Sequence, residues 1–181
     1  MEEMRKRIEQ LESRIDRLEK NSPDDKLSII VFSGSLDKLI AAFIIATGAA
    51  AMGSEVTLFF TFWGTAALRD PGRNVGGKDL ISKMFGFMLP KGRNKLKLSK
   101  MHMAGMGTSM LKHLMRKKNA PSLDQLFEMA GELGVQIKVC EMSMDLMGFK
   151  REEIIDYPHL DYCGVATFLA DAKESQIQMF I

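Results

Sequence analysis

The chain has 181 residues, 46% hydrophobic and 27% charged, the balance of an ordinary folded protein and a composition that excludes global disorder. That length supports one full core with an appendage and is short for two domains. A net charge of +2 gives no bulk electrostatic reason to expect a nucleic-acid partner. The two cysteines, Cys140 and Cys163, lack the paired spacing of a zinc site or a disulfide framework and fit a reducing, cytoplasmic setting.

Residues 1–20 place Met1, Met4, Ile8, Leu11, Ile15 and Leu18 at alternating spacings of three and four among charges, which predicts a coiled-coil helix. So short a helix with so narrow a stripe is marginal alone, so the pattern implies a partner helix, most economically from a second copy, and hence a homo-oligomer. The alternative is a helix packed on, or frayed from, its own domain. This charged start has no apolar stretch of the kind a secretory signal needs.

Asn21-Ser22-Pro23-Asp24-Asp25 breaks the pattern and reads as a linker over 21–26, ahead of a domain spanning 27–181. Leu27 to Phe32 predicts a strand, Ser33-Gly34-Ser35 a loop, and Leu36 to Met52 an apolar helix that Gly53 ends. Its core, Leu39 to Met52, is interrupted by Thr47 and Gly48 and falls short of the ~20 residues that cross a bilayer, so it predicts a buried helix and no transmembrane segment. Glu55 to Phe60 then gives a second strand and completes a right-handed βαβ unit.

Residues 65–119 read as an insertion: a glycine-rich stretch from Arg69 to Lys78, an apolar helix over Leu80 to Leu89, a basic stretch from Lys91 to Lys100, and a basic helix over Thr108 to Lys118. A long insertion beside a sheet's working edge suggests a lid or docking surface. Ser122 and Gln125 stand in capping-box register for a helix over Leu123 to Leu133, closed by Gly134. A third strand follows at Val135 to Val139, then a short helix and strand within Ile154 to Tyr162, a helix from Gly164 to about Lys173, and a strand from Gln176 to Phe180. The whole predicts an α/β fold with a flavodoxin-like, mostly parallel sheet flanked by helices. Such sheets hold ligand chemistry at the carboxyl ends of the strands, where Ser33 to Ser35, Phe62 to Gly64 and Cys140 then crowd together.

Cys140 is the candidate reactive residue. A thiol at a strand's end, facing a helix N-terminus, sits where the thiolate is favoured; the competing reading is a small buried hydrophobe. Cys163 also precedes a predicted helix start and can resolve a persulfide or disulfide on Cys140, or can be a packed, unreactive thiol. Gly72 to Asp79 puts glycines and a lysine before a helix but fails the spacing of a phosphate loop. Met103, Met106 and Met110, near His102 and His113, have the softness to hold Cu(I), although methionine at helical spacing is more often an adaptable core or contact face. The bases of Lys91 to Lys118 form a solvated surface or steer an acidic protein; no aromatic residues interleave with them to stack nucleobases.

Three segments in order, Phe59-Phe60-Thr61-Phe62-Trp63-Gly64, Cys140 to Gly148, and Gly164-Val165-Ala166-Thr167-Phe168-Leu169, resemble the DsrE/DsrF-like family. With Met101 to Met110 they are similar to its longer, methionine-rich, DsrE-related or peroxiredoxin-like branch, over about Leu27 to Ile181. The Pro-x-x-x-Thr/Ser-x-x-Cys context of true peroxiredoxins is missing. The resemblance implies an oligomeric α/β subunit that needs no cofactor and carries sulfur as a persulfide on Cys140. It also implies exchange of that sulfur with a TusA-like carrier or a rhodanese-type donor. The alternative is an oligomeric adaptor in which Cys140 is structural.

Overall fold

The computed structural model describes residues 2–20, 24–73, 75, 76 and 80–181, with the backbone alone at 16–20, 24 and 81–83. The expected linker residues Asn21, Ser22 and Pro23, and parts of the glycine-rich loop at Asn74 and Gly77 to Asp79, lie outside the described residues.

In chain order the elements are α1 (Glu2–Lys20), β1 (Asp24–Val31), α2 (Leu36–Ala51), β2 (Glu55–Phe60), α3 (Leu80–Met88), α4 (Met106–Lys117), α5 (Leu123–Glu132), β3 (Gln136–Cys140), α6 (Glu141–Met147), β4 (Leu160–Cys163), α7 (Val165–Glu174) and β5 (Ser175–Phe180). A 3-10 segment, Phe62–Leu68, follows β2. The strand begins at Asp24, inside the stretch expected to be linker, because Asp24 pairs with Ser175 and Lys26 pairs with Glu55 in the sheet. Lys26 also bridges to Glu174 at 3.1 Å, which holds this start against the end of α7.

The five strands form one sheet in the order β4-β3-β2-β1-β5, and every pairing is parallel. Successive strands β1 to β4 step in one direction and β5 returns to the far side of β1, so the α/β sheet has a single reversal of winding. A flavodoxin-type sheet has one reversal too; here the last strand makes it.

Side-chain alternation along the strands separates two faces. Leu27, Ile29, Val31, Val56, Leu58, Phe60, Ile137 and Val139 pack with Leu39, Phe43 and Ala46 of α2 and Leu126, Phe127 and Ala130 of α5 in the main core. The rings of Phe43 and Phe127 lie 4.0 Å apart. α5 begins as its sequence dictates: Gln125 N–H donates to Ser122 Oγ at 3.3 Å, and Ser122 N–H donates to Gln125 Oε1 at 2.8 Å. The opposite face carries a smaller cluster of Phe59, Cys140 and Cys163 beneath Phe168 and Ala172 of α7.

At the carboxyl edge the loops after β1 and β2 meet backbone to backbone. Gly64 N–H donates to Phe32 O at 2.9 Å. A Cβ on Gly64 would lie 2.3 Å from Val31 O, and one on Gly34 would lie 2.5 Å from Trp63 O. The insertion is tied to the same edge. Leu36 N–H donates to Lys97 O at 2.8 Å, and the Asp37 carboxylate, in the first turn of α2, accepts from Ser99 N–H at 2.8 Å and from the Ser99 hydroxyl. Burial pushes the Asp37 carboxyl up, but the Ser99 bonds outweigh it and hold the group below its ordinary value of 3.8.

Two outcomes follow from this edge. Gly64→Ala sets a methyl group against a rigid carbonyl and should cost about 2 kcal/mol in denaturant unfolding, with an unchanged midpoint counting against the close approach. Asp37→Asn should cost about 1 kcal/mol near neutral pH, screened as the group is by solvent. A carboxylate whose folded pKa is depressed stabilises above its unfolded pKa and loses that contribution as pH falls through the folded value. The difference between the two proteins should therefore shrink as pH falls through that lowered value.

Candidate functional site

Cys140 is the last residue of β3 and the N-cap of α6, with φ −69° and ψ 111°. The chain turns from strand to helix there with no intervening loop. The amides of Glu141, Met142 and Ser143 lie in the first turn of α6, where helical N–H groups lack intrahelical acceptors. The Cys140 side chain makes no capping hydrogen bond. α6 is fixed to the end of β2 by a buried hydrogen bond of 2.7 Å between the hydroxyls of Thr61 and Ser143. The expected crowding of Ser33 to Ser35, Phe62 to Gly64 and Cys140 at one edge is thus realised through backbone contacts and this hydroxyl pair.

The thiol itself is enclosed. Cys140 is 0% exposed and Cys163 is 8% exposed. Phe168 of α7 stacks on Phe59 of β2 with ring centroids 4.4 Å apart and an interplanar angle of 11°, and this stack, with Ala172, roofs the two sulfurs. Parallel pairing of β3 with β4 sets Cys140 opposite Cys163, after Val139 opposite Tyr162 and Lys138 opposite Asp161. Both cysteines are free thiols.

Lys138, two residues before Cys140 and on the same face, is the cation that the sheet supplies here. Its ammonium bonds the Asp171 carboxylate of α7, and both residues line a polar cavity of about 480 Å³ with Lys26, Ser28, Thr57, Gln136 and Ser175. Burial pushes the Cys163 thiol up; the Lys138 ammonium pulls it down, while Cys140, Asp171 and Glu141 add to the upward push. Glu141, a possible opponent of a thiolate, pairs with Arg151, whose guanidinium lies 4.6 Å over the Tyr162 ring.

The bases of the insertion take other positions. Arg93 pairs with Asp124 at 2.9 Å and lies 4.4 Å over the Phe127 ring. With Lys112 and Arg116 it lines a cavity of about 350 Å³ between α2, α4 and α5, on the sheet face opposite Cys140. These three cations stand across the sheet from the thiol. Met103, Met106, Met110 and Leu114 are exposed, which makes them a surface stripe and not core. His102 Nδ1 and Thr108 Oγ1 are 3.1 Å apart. No cluster of three His, Cys, Asp or Glu side chains suited to a metal occurs among the described residues. No helix among them is long and apolar enough to cross a membrane.

Sequence reasoning found Cys140 and missed what surrounds it. Lys138 and Asp171 are remote in sequence, and only the alternation of β3 and the placement of α7 bring them together. Phe59 and Phe168 lay inside recognised segments without a stated role.

The chain is similar to known proteins. YrkE, an uncharacterized protein of Bacillus subtilis, is 49% identical over 156 residues, covering 86% of this chain and 96% of that one. The sulfur carrier protein DsrE2 of Allochromatium vinosum is 38% identical over 160 residues, covering 86% of this chain and 98% of that one. The crystal structure of the ychN protein from E. coli superposes with a TM-score of 0.49 at 11% identity, over 86% of this chain and 98% of that one. The profile of the DsrE/DsrF/DrsH-like family matches residues 23–180, nearly the whole sheet-bearing part, and the chain belongs to that family.

Proposed function

We propose that the protein is a sulfur-relay carrier that holds sulfane sulfur as a persulfide on Cys140. The observation that carries this reading is the position of Cys140, a thiol that ends a sheet strand and caps a helix, in a chain 38% identical to a named sulfur carrier. In the transfer, the Cys140 thiolate attacks the outer sulfur of a donor persulfide, the donor leaves as a thiol, and an acceptor thiolate later removes that sulfur from Cys140. The first turn of α6, whose amides lack intrahelical acceptors, begins at the residue that carries this sulfur. A TusA-like carrier or a rhodanese-type donor has the chemistry to stand on either side of this exchange. The cytoplasm supplies the reducing conditions that such thiols require.

Full burial of Cys140 favours a second reading, an oligomeric adaptor in which this thiol only fills space. Incubation with glutathione persulfide followed by intact-mass measurement separates the two. The carrier gains one sulfur atom, and Cys140→Ser and Cys140→Ala gain none. Uptake by either variant equal to that of the parent protein removes Cys140 from the role.

The N-terminal helix bears on assembly. Met4, Ile8, Leu11 and Ile15 form its apolar stripe, each 50–63% exposed. A stripe of that kind is stable when covered, and α1 of a second copy presents the same heptad pattern. Removal of residues 1–20 should lower the mass seen by sedimentation at equal concentration; an unchanged mass would assign self-association to another surface.

A further inference from the structure

We infer that Cys163 is a resolving thiol for Cys140: it attacks the Cys140 sulfur of a Cys140 persulfide, closes a Cys140–Cys163 disulfide and expels the outer sulfur as hydrosulfide. This rests on the carrier reading of Cys140 and adds to it a second working residue and a different product.

Register carries the argument. In the parallel β3–β4 pair Cys140 stands directly opposite Cys163, so both side chains leave the same face of the sheet. Adjacent strands run about 4.8 Å apart. Disulfides span Cα separations of about 4.4–6.8 Å. The pair can therefore close without moving one strand along the other. The two sulfurs also share one enclosure, formed by Phe59, Phe168 and Ala172. A sulfane sulfur held on Cys140 thus has a thiol neighbour before any partner arrives. Exposure is graded across the pair, nil at Cys140 and slight at Cys163.

The step balances without an outside oxidant. The Cys163 proton passes to the terminal sulfur of the ionised persulfide, and the Cys163 thiolate attacks the Cys140 Sγ. The Cys163–Cys140 S–S bond forms as the bond to the outer sulfur breaks, and that sulfur departs as HS⁻ with the bonding pair. The Cys163 sulfur loses one electron, the outer sulfur gains it, and the oxidation state of the Cys140 sulfur is unchanged. Burial keeps the Cys163 thiol protonated at rest, so it holds the proton that the leaving sulfur needs. Lys138, on the same face of β3 as Cys140, acts on the Cys163 thiol as a nearby positive charge. A dithiol reductant restores both thiols.

The test uses the full-length reduced protein, loaded with glutathione persulfide, desalted, and followed by non-reducing mass spectrometry with bimane trapping of sulfide. The parent protein should convert to a chain lighter by two hydrogens than the reduced form. It should yield a cross-linked peptide pair containing Cys140 and Cys163 and one trapped sulfide per bridge. Cys163→Ser and Cys163→Ala should keep the added sulfur at least about tenfold longer, without the bridge. The alanine variant leaves no unpartnered hydroxyl under α7 and so guards against a folding defect. If the parent protein keeps its added sulfur as long as both variants and forms no bridge, the resolving role fails and the carrier reading stands. If neither parent nor variants take sulfur onto Cys140, both fail together.

Discussion

The handedness of one crossover governs where chemistry can occur in this fold. Strands β1 to β4 advance in one direction across the sheet, and right-handed crossovers therefore place α2 and α5 on the same face. β5 pairs on the opposite side of β1, so its connection from β4 runs backward, and the same handedness sends α7 to the other face. α2, α5 and the large core thus occupy one side, and α7 covers the cysteines on the other. Cys140 and Cys163, both at strand positions pointing to that second face, lie beneath α7 as a result. Their enclosure comes from topology more than from local sequence.

Most of the fold was legible because its signals are local. The β-branched run from Leu27, the apolar run from Glu55 to Phe60, and the capping box of Ser122 and Gln125 each fix an element without help from distant residues. β4 was weak in sequence because Leu160 to Cys163 is short, and its partner β3 gives it form. The segment around Met101 to Gly105 was illegible in detail. Met101, Met103 and Ala104 adopt positive φ there, a conformation that their side chains disfavour and that no local pattern announces. Gly107 lets that segment close on itself, since a Cβ there would lie 1.9 Å from Met101 O.

The candidate site was half legible. Cys140 can be picked out because strand end, cap position and thiol coincide at one residue. Its neighbours cannot. The Lys138–Asp171 pair and the Phe59–Phe168 stack join residues far apart along the chain, and each depends on which face α7 takes. Alternation along β3 fixes that Lys138 and Cys140 share a face, but no local pattern says what that face will meet. The insertion shows the reverse case: its basic composition was plain, while its placement was not, and Arg93, Lys112 and Arg116 settle across the sheet from the thiol.

A roof made of one stacked phenylalanine and one alanine is thin. A short, ten-residue helix such as α7 can detach at far less free energy than the whole sheet, because few apolar contacts hold it and its outer positions, Val165 and Leu169, already face solvent. Cys140 has no exposed surface beneath α7, so a reagent that meets its sulfur requires that helix to move. Residues on its far side, which touch neither sulfur, then become throttles on reactivity, and a protein that grips α7 from outside holds the timing in its hands.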